Sequence, residues 1–284
     1  MKTSLALLLA VLPVLPLQAQ PTSSPLRIIS AGAGVTELIT TLGAADQLIA
    51  VDSTSRLPSG QTLPIVGYHR QLASEGLLSL KPTLLLGSDE MGPETTLSQL
   101  QSAGVRVEKL PSRADVATLQ QNISTLGQLL SRQTQAKQLQ HAVATQVQTL
   151  QQDAKRLKRP PRLLYLMIHP GRPAMVAGGN TAASTLIQLA GGENPATTLS
   201  NYQLLNLESL LAMQPDAILV SQRSLQQEPL LLEHALPQIM QHPELQQVPL
   251  YPVAGQALIG GLNLATLQAA ASLQQQLLKA QQEP

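Results

Sequence analysis

The sequence predicts an α/β protein built as two Rossmann-like lobes with parallel-type sheets, joined by a long rigid helix, with a ligand cleft between the lobes. Three observations predict it. Short apolar runs alternate with helical periodicity in both halves of the chain, the grammar of parallel strands connected by helices. One unit occurs twice: Glu75-Gly76-Leu77-Leu78, running through Pro82 to Ser88, is matched by Glu208-Ser209-Leu210-Leu211, running through Pro215 to Ser221, with Glu, Leu-Leu, Pro and the closing Ser in register. Between the copies, residues 115–158 contain almost no Gly or Pro. Two copies of one supersecondary unit separated by a helical middle imply two similar lobes, and such a chain places its ligand between them.

Residues 1–19 read as an export leader: Lys2 supplies the charged start, residues 5–17 an apolar run, and Ala19 a small residue at a cleavable position. The run is too short for a membrane span and carries Pro13 and Pro16. The chain has no cysteine, so a lipid anchor, a disulfide framework and a thiolate site are all excluded, and an exported soluble product is expected.

The first lobe is assigned to residues 20–125. Residues 27–30 form a strand, Gly32 and Gly34 turn the chain into a helix over 35–42 that stops at Gly43, and 48–51 is the next strand. An extended run over 63–66 leads into Gly67-Tyr68-His69-Arg70. A short helix follows, with Ser74 as its cap, Glu75 in the first turn where the dipole favours an acid, an apolar face of Leu77, Leu78 and Leu80, and Pro82 as its stop. Residues 83–86 and 105–109 are strands, with a helix over 95–103 between them. In the middle of the chain Leu126, Leu129 and Leu130, then Leu139, Val143, Val147 and Leu150, recur at helical spacing, giving two pieces broken near Ser131. The second piece, about 25 residues, would run on the order of 40 Å. The linking helix is placed at 126–160, and the second lobe at 161–284. That lobe has strands over 163–168, 217–220 and 250–253, a helix over 181–190 and a closing helix over 262–281.

Formal net charge is +1 over 284 residues, and the largest basic cluster, residues 155–162, ends a helix where cations suit the dipole, so a nucleic-acid partner is excluded. Four tyrosines are the only aromatics besides histidine. The core must therefore be aliphatic, and a tyrosine on a glycine-flanked loop stands out.

The motif Gly67-Tyr68-x-Arg70-x-Leu72, followed by Glu75-Gly76-x-Leu78-Ser79-Leu80-Lys81-Pro82, resembles that of the periplasmic haem-binding proteins of bacterial ABC haem importers. These are a branch of the helix-linked binding proteins that also includes cobalamin and ferric-siderophore binders. The resemblance covers residues 26–278. Where the family reads Leu-Ser-Ala-Glu-Gly, this chain has Leu72-Ala73-Ser74-Glu75-Gly76, a swap that can move the helix cap by one residue. The resemblance implies a monomeric periplasmic protein that is not an enzyme. It would capture one or two haems and deliver them to an inner-membrane ABC permease. It further implies that Tyr68 is an axial ligand of the haem iron, that Arg70 supports it, and that Glu75 and Glu208 dock the two lobes onto permease arginines.

Tyrosinate is a known axial haem ligand. Without the motif, Tyr68 reads as an ordinary half-buried loop tyrosine, and the two glutamates as helix-dipole caps. His69 is a rival ligand, but neighbours on an extended loop point opposite ways, so it is expected to face away. His169 follows the first strand of the second lobe, at the carboxyl edge where open α/β sheets bind ligands, and is the candidate second-lobe iron ligand. Plain turn chemistry in His169-Pro170-Gly171 is the alternative. His141, His234 and His242 are expected to face solvent. The rival functions are a binder of another iron chelate or corrinoid and an exported metal-dependent enzyme. The second is least supported, since the chain has no His-Glu-x-x-His, no Gly-x-Ser-x-Gly and no Cys.

Overall fold

A computed structural model of the chain describes residues 26–169, 172–227 and 242–282. The expected leader, the two residues after His169, and His234 lie outside the described residues.

The first lobe is a four-stranded sheet in the order β2-β1-β3-β4, all parallel. Its strands are β1 (Ile28–Ala31), β2 (Leu48–Val51), β3 (Leu84–Ser88) and β4 (Arg106–Leu110). The inner strands β1 and β3 are buried along their whole length. That is why they read as unbroken apolar runs instead of alternating ones. Successive side chains serve opposite faces. Ile28, Leu84 and Leu86 pack with Ile39 of α1 (Ala33–Thr41) and with Leu119 and Ile123 of α4 (Val116–Leu129). Ile29 and Leu85 pack with Leu77 of α2 (Ser74–Ser79) and with Leu97 and Leu100 of α3 (Glu94–Ser102).

The expected strand over 63–66 is reduced to one bridge between Val51 and Ile65. Pro64 accepts from the Val51 N–H through its carbonyl but has no N–H of its own to continue a ladder. The cap of α2 also moves: Ala73 occupies the N-cap position with no side-chain bond, and Ser74 is already helical.

In the second lobe the sheet order is β7-β6-β5-β8-β9. The strands β5 (Leu163–Met167), β8 (Ala217–Ser221) and β9 (Leu250–Val253) are parallel as expected. β6 (Met175–Ala177) and β7 (Tyr202–Leu204) add an antiparallel edge the sequence reading did not contain, because three-residue strands are too short to show a period. α6 (Ala182–Leu189) covers one face, and α7 (Leu207–Met213), α8 (Gln222–Gln227) and α9 (Pro243–Gln246) cover the other.

The repeat seen in the sequence is present in space. α2 and α7 each carry their glutamate as the second helical residue. Each buries one leucine, Leu77 or Leu210. The residue before each proline leaves in a left-handed conformation, Lys81 at φ 50° and Gln214 at φ 43°.

Two helices belong to both lobes. α5 (Gln133–Ala154), 22 residues and about 33 Å long, begins after a break at Ser131, whose φ is 56°. It places Val143 in the first-lobe core and Leu150 in the second. α10 (Leu264–Ala280) puts Leu267 in the first core and Ala270, Leu273 and Leu277 in the second. The buried amide of Gln274 on α10 donates to the Leu150 carbonyl of α5 at 2.8 Å. Glu37 of α1 accepts from the Leu264 N–H at 2.9 Å, so a first-lobe carboxylate helps cap the closing helix.

The lobes meet tightly at Gly261, whose φ is +80° and where a Cβ would run into the carbonyl oxygen of Ser112. Gly261→Ala is expected to cost about 2–3 kcal/mol, combining left-handed strain with a backbone collision between lobes. A chemical-denaturation midpoint equal to that of the wild type would show that the lobes separate here without penalty.

Candidate functional site

Between the lobes lies a cleft of about 420 Å³, within the range of small-molecule sites. Its first-lobe wall is formed by Tyr68, His69 and Arg70 with Glu90, Ser112 and Ala114, all on loops beyond the carboxyl ends of parallel strands. Asn180, Thr181, Asn201 and Tyr202 form the second-lobe wall, and residues 258–261 the floor. Thr185 donates to the Ala114 carbonyl across the lobes at 2.6 Å.

The loop carrying Tyr68 is a laced turn. Gly67, at φ +93°, accepts from the Ser53 N–H at 2.8 Å, and the Gln71 N–H closes on the Tyr68 carbonyl at 2.8 Å. The next turn is sewn to it by Gly92 N–H to His69 carbonyl at 2.9 Å and Leu72 N–H to Gly92 carbonyl at 2.8 Å. Leu72 is buried among α2 and α3 side chains. The loop therefore has little freedom, while Tyr68 stays 41% exposed in the cleft.

His69 departs from expectation. Because residues 68–71 turn instead of running extended, neighbouring side chains do not alternate, and the His69 ring lies against the Tyr68 ring with centroids 4.5 Å apart. It is buried, 2% exposed, and lines the same cleft. Its Nδ1 donates to Asp52 Oδ2 at 2.9 Å.

Asp52, fully buried at the end of β2, is the hub of a polar chain. Thr54 Oγ1 donates to Oδ2 at 2.7 Å and Ser55 Oγ to Oδ1 at 2.5 Å. Thr36 Oγ1 joins Ser55 at 2.6 Å and Ser30 at 2.7 Å. Burial alone pushes the Asp52 carboxyl up, but the bonds from His69, Ser55 and Thr54 outweigh it and bring it down to about 2.

Arg70, half exposed, pairs with Glu90 at 2.6 Å, and the other Glu90 oxygen stands 3.9 Å from His69 Nε2. On the opposite wall Tyr202 packs edge-on against Tyr165, and burial holds both of their phenols above the usual range. Tyr68 differs from Tyr202 in remaining open to solvent.

Of the residues singled out in the sequence, the fold thus brings Tyr68 and Arg70 together in the cleft. His169 is exposed on the loop leaving β5 and is not among the residues lining it. The antiparallel β6 carries the chain back from the carboxyl end of β5, and residues 180–182, beyond it, line the cleft opposite Tyr68. Glu75 and Glu208 are exposed in the first turns of α2 and α7. His141 is exposed, whereas His242 is half-buried at the N-cap of α9.

Sequence reasoning missed Asp52 and Glu90, and turned His69 away from the cleft that it lines. The rule that pointed to His169, a polar residue just past a parallel strand, applies equally to Asp52 after β2 and to Asp89-Glu90 after β3. Among the described residues no group of three or more His, Asp or Glu is placed to hold a bare metal ion, and no helix is long and apolar enough to cross a membrane.

A two-lobed α/β chain with its cleft at the carboxyl edge of a parallel sheet, and with two helices shared between the lobes, is a ligand-binding architecture. The chain belongs to the periplasmic binding protein family, which matches residues 28–250. Its structure is similar to that of the periplasmic haem-binding protein HutB of Vibrio cholerae, at 45% identity and a TM-score of 0.83, covering 89% of this chain and 99% of that one. It is also similar to the periplasmic haem-binding protein BhuT solved in complex with two haems, at 29% identity and a TM-score of 0.75, covering 90% and 99%. In sequence it is 28% identical over 215 residues, 75% of each chain, to the vitamin B12-binding protein of Yersinia pseudotuberculosis. It is a binding protein of the kind that serves ABC importers of haem, cobalamin and siderophores, and not an enzyme.

The Asp52 network carries a pH signature. The carboxyl is depressed from an ordinary 3.8 to about 2, so its stabilising contribution is present above pH 4 and lost as pH falls towards 2. Asp52→Asn should lower stability by about 2 kcal/mol at pH 7, with the gap to wild type closing between pH 4 and pH 2 in urea titrations. A gap independent of pH would place the effect in packing and not in charge.

Proposed function

We propose that this chain captures haem in the periplasm and delivers it to the permease of an ABC importer. Tyr68 carries the reading: a phenol held on a laced loop, open to the inter-lobe cleft and two residues from Arg70. Ferric iron is a hard Lewis acid that favours an anionic oxygen. A free phenol ionises near pH 10, so iron and a nearby guanidinium must together stabilise the phenolate. In this reading Tyr68 is the iron ligand and Arg70 its support. The cleft floor, Leu258 and Ile259 followed by Gly260 and Gly261, offers a low aliphatic surface to a flat ring.

His169 is proposed as the second-lobe ligand, approaching from the exposed loop after β5. A capacity for two haems, with one bound at limiting haem, is supported by the two-haem complex of the 29%-identical BhuT. Export as a soluble monomer is part of this reading, its export step supported by the leader-like pattern of residues 1–19. A second reading, cobalamin capture, is favoured by the likeness to the vitamin B12-binding protein.

Titration with ferric haem, followed by the Soret band and repeated with cobalamin as competitor, separates the two readings. Wild type should give a tyrosinate-type haem spectrum that cobalamin does not displace. Tyr68→Ala should lose most affinity and Arg70→Ala less, while His169→Ala should lower the saturating stoichiometry towards one. An unchanged titration for Tyr68→Ala would overturn the ligand assignment, and binding of cobalamin with no Soret response would favour the second reading.

Glu75 and Glu208, at equivalent positions of the two lobes and outside the cleft, are proposed to dock the lobes on permease arginines. Each exposed ion pair contributes about 1 kcal/mol or less, but the two together fix orientation. The double variant Glu75→Ala with Glu208→Ala should titrate haem normally while uptake in a reconstituted system falls severalfold. Undiminished uptake would remove the docking role.

A further inference from the structure

Arg70 is the one lysine or arginine among the described residues lining the cleft, and it is already engaged: Glu90, half-buried on the facing turn, accepts from its Nη2 at 2.6 Å. The pair does not arise from two loose side chains meeting by chance. The turn bearing Glu90 is bonded to the Tyr68 loop by Gly92 N–H to His69 carbonyl and Leu72 N–H to Gly92 carbonyl, so both backbones are fixed relative to each other. The second Glu90 oxygen faces His69 Nε2 at 3.9 Å, which limits its room to swing away. Asp52 is fully buried behind His69, and Asp89, next to Glu90, accepts from the Ser112 hydroxyl, which leaves Glu90 as the one carboxylate among the described residues lining the cleft.

A ligand carboxylate approaching Arg70 therefore meets a guanidinium with one nitrogen, Nη2, already bonded and a like charge beside it. It gains only what remains after displacing or sharing Glu90. A ligand that also bonds Tyr68 through a metal is held by a second, independent interaction, whereas one that relies on its carboxylates alone is not. We propose that Glu90 is a specificity residue acting through Arg70: it takes up part of the guanidinium's charge and hydrogen bonding, leaving the remainder to support Tyr68, so that anionic tetrapyrroles lacking a metal for Tyr68 are held poorly, and it lightens the hold on the carboxylates of the cargo so that release stays possible. This rests on the reading of the cleft as a haem site, but its test uses metal-free ligands and so stands or falls separately.

Binding of a metal-free porphyrin carrying two propionates, and of its dimethyl ester, would be measured by fluorescence for wild type, Glu90→Gln, Glu90→Asp and Arg70→Ala with Glu90→Gln, each first checked for a wild-type melting temperature. Glu90→Gln should bind the diacid roughly two- to fivefold tighter, the range expected for one partly exposed ion pair. Glu90→Asp should restore weak binding, the ester should bind wild type and Glu90→Gln alike, and the gain should vanish in the double variant. An equal gain for the ester, a gain that survives loss of Arg70, or no gain for the diacid would each overturn the proposal. If haem gives no Soret response with wild type while these diacid results hold, the haem reading fails and the role of Glu90 as a screen against carboxylates stands.

Discussion

The cleft exists because two helices are buried in two cores at once. A single connection between separate lobes leaves twist and hinge angle free, and the facing walls would then have no fixed relation. Here α5 and α10 each put side chains into both cores, Val143 and Leu150 on one and Leu267 and Leu273 on the other, so rotating one lobe exposes apolar surface on two helices together. The Gln274 amide, buried against the Leu150 carbonyl, locks the helices to each other, since breaking that bond would strand a buried polar group. A frame of this kind favours small hinge motion over free rotation of one lobe against the other.

Within that frame the Tyr68 loop is held by polar interactions more than by apolar packing. A buried carboxylate is costly unless its oxygens are satisfied, and Asp52 is satisfied by His69, Thr54 and Ser55 together. The same bonds fix the backbone on either side of the Tyr68 loop. The Tyr68 ring can thus remain exposed in the cleft without the loop becoming mobile. Rigidity is supplied from behind by Asp52, and from the side by the turn that carries Glu90.

Fold and function separate at this point. The two-lobed architecture is shared by binders of haem and of cobalamin, and the likenesses to both reflect it. Beyond the shared architecture, the described cleft of this chain offers one exposed phenol, one guanidinium paired with a carboxylate, and a floor of aliphatic and glycine residues in a chain without Phe or Trp.

The sequence by itself determined the buried parallel strands, the repeated Glu-Leu-Leu-Pro unit, the helical middle with its break at Ser131, and the prominence of Tyr68 and Arg70. Each of these is written in local pattern: apolar runs, helical spacing, proline stops, a glycine before an aromatic. Only the tertiary structure decided that residues 68–71 turn, which brings His69 beside Tyr68 instead of away from it, and that Asp52, seventeen residues earlier, holds it there. It also decided that β6 runs antiparallel, so that residues 180–182 line the described cleft opposite Tyr68 while His169 lies on the exposed loop after β5, and that Glu90 pairs with Arg70. These are pairings across long stretches of chain, set by which loops the parallel sheet gathers at one edge, and no local period records them.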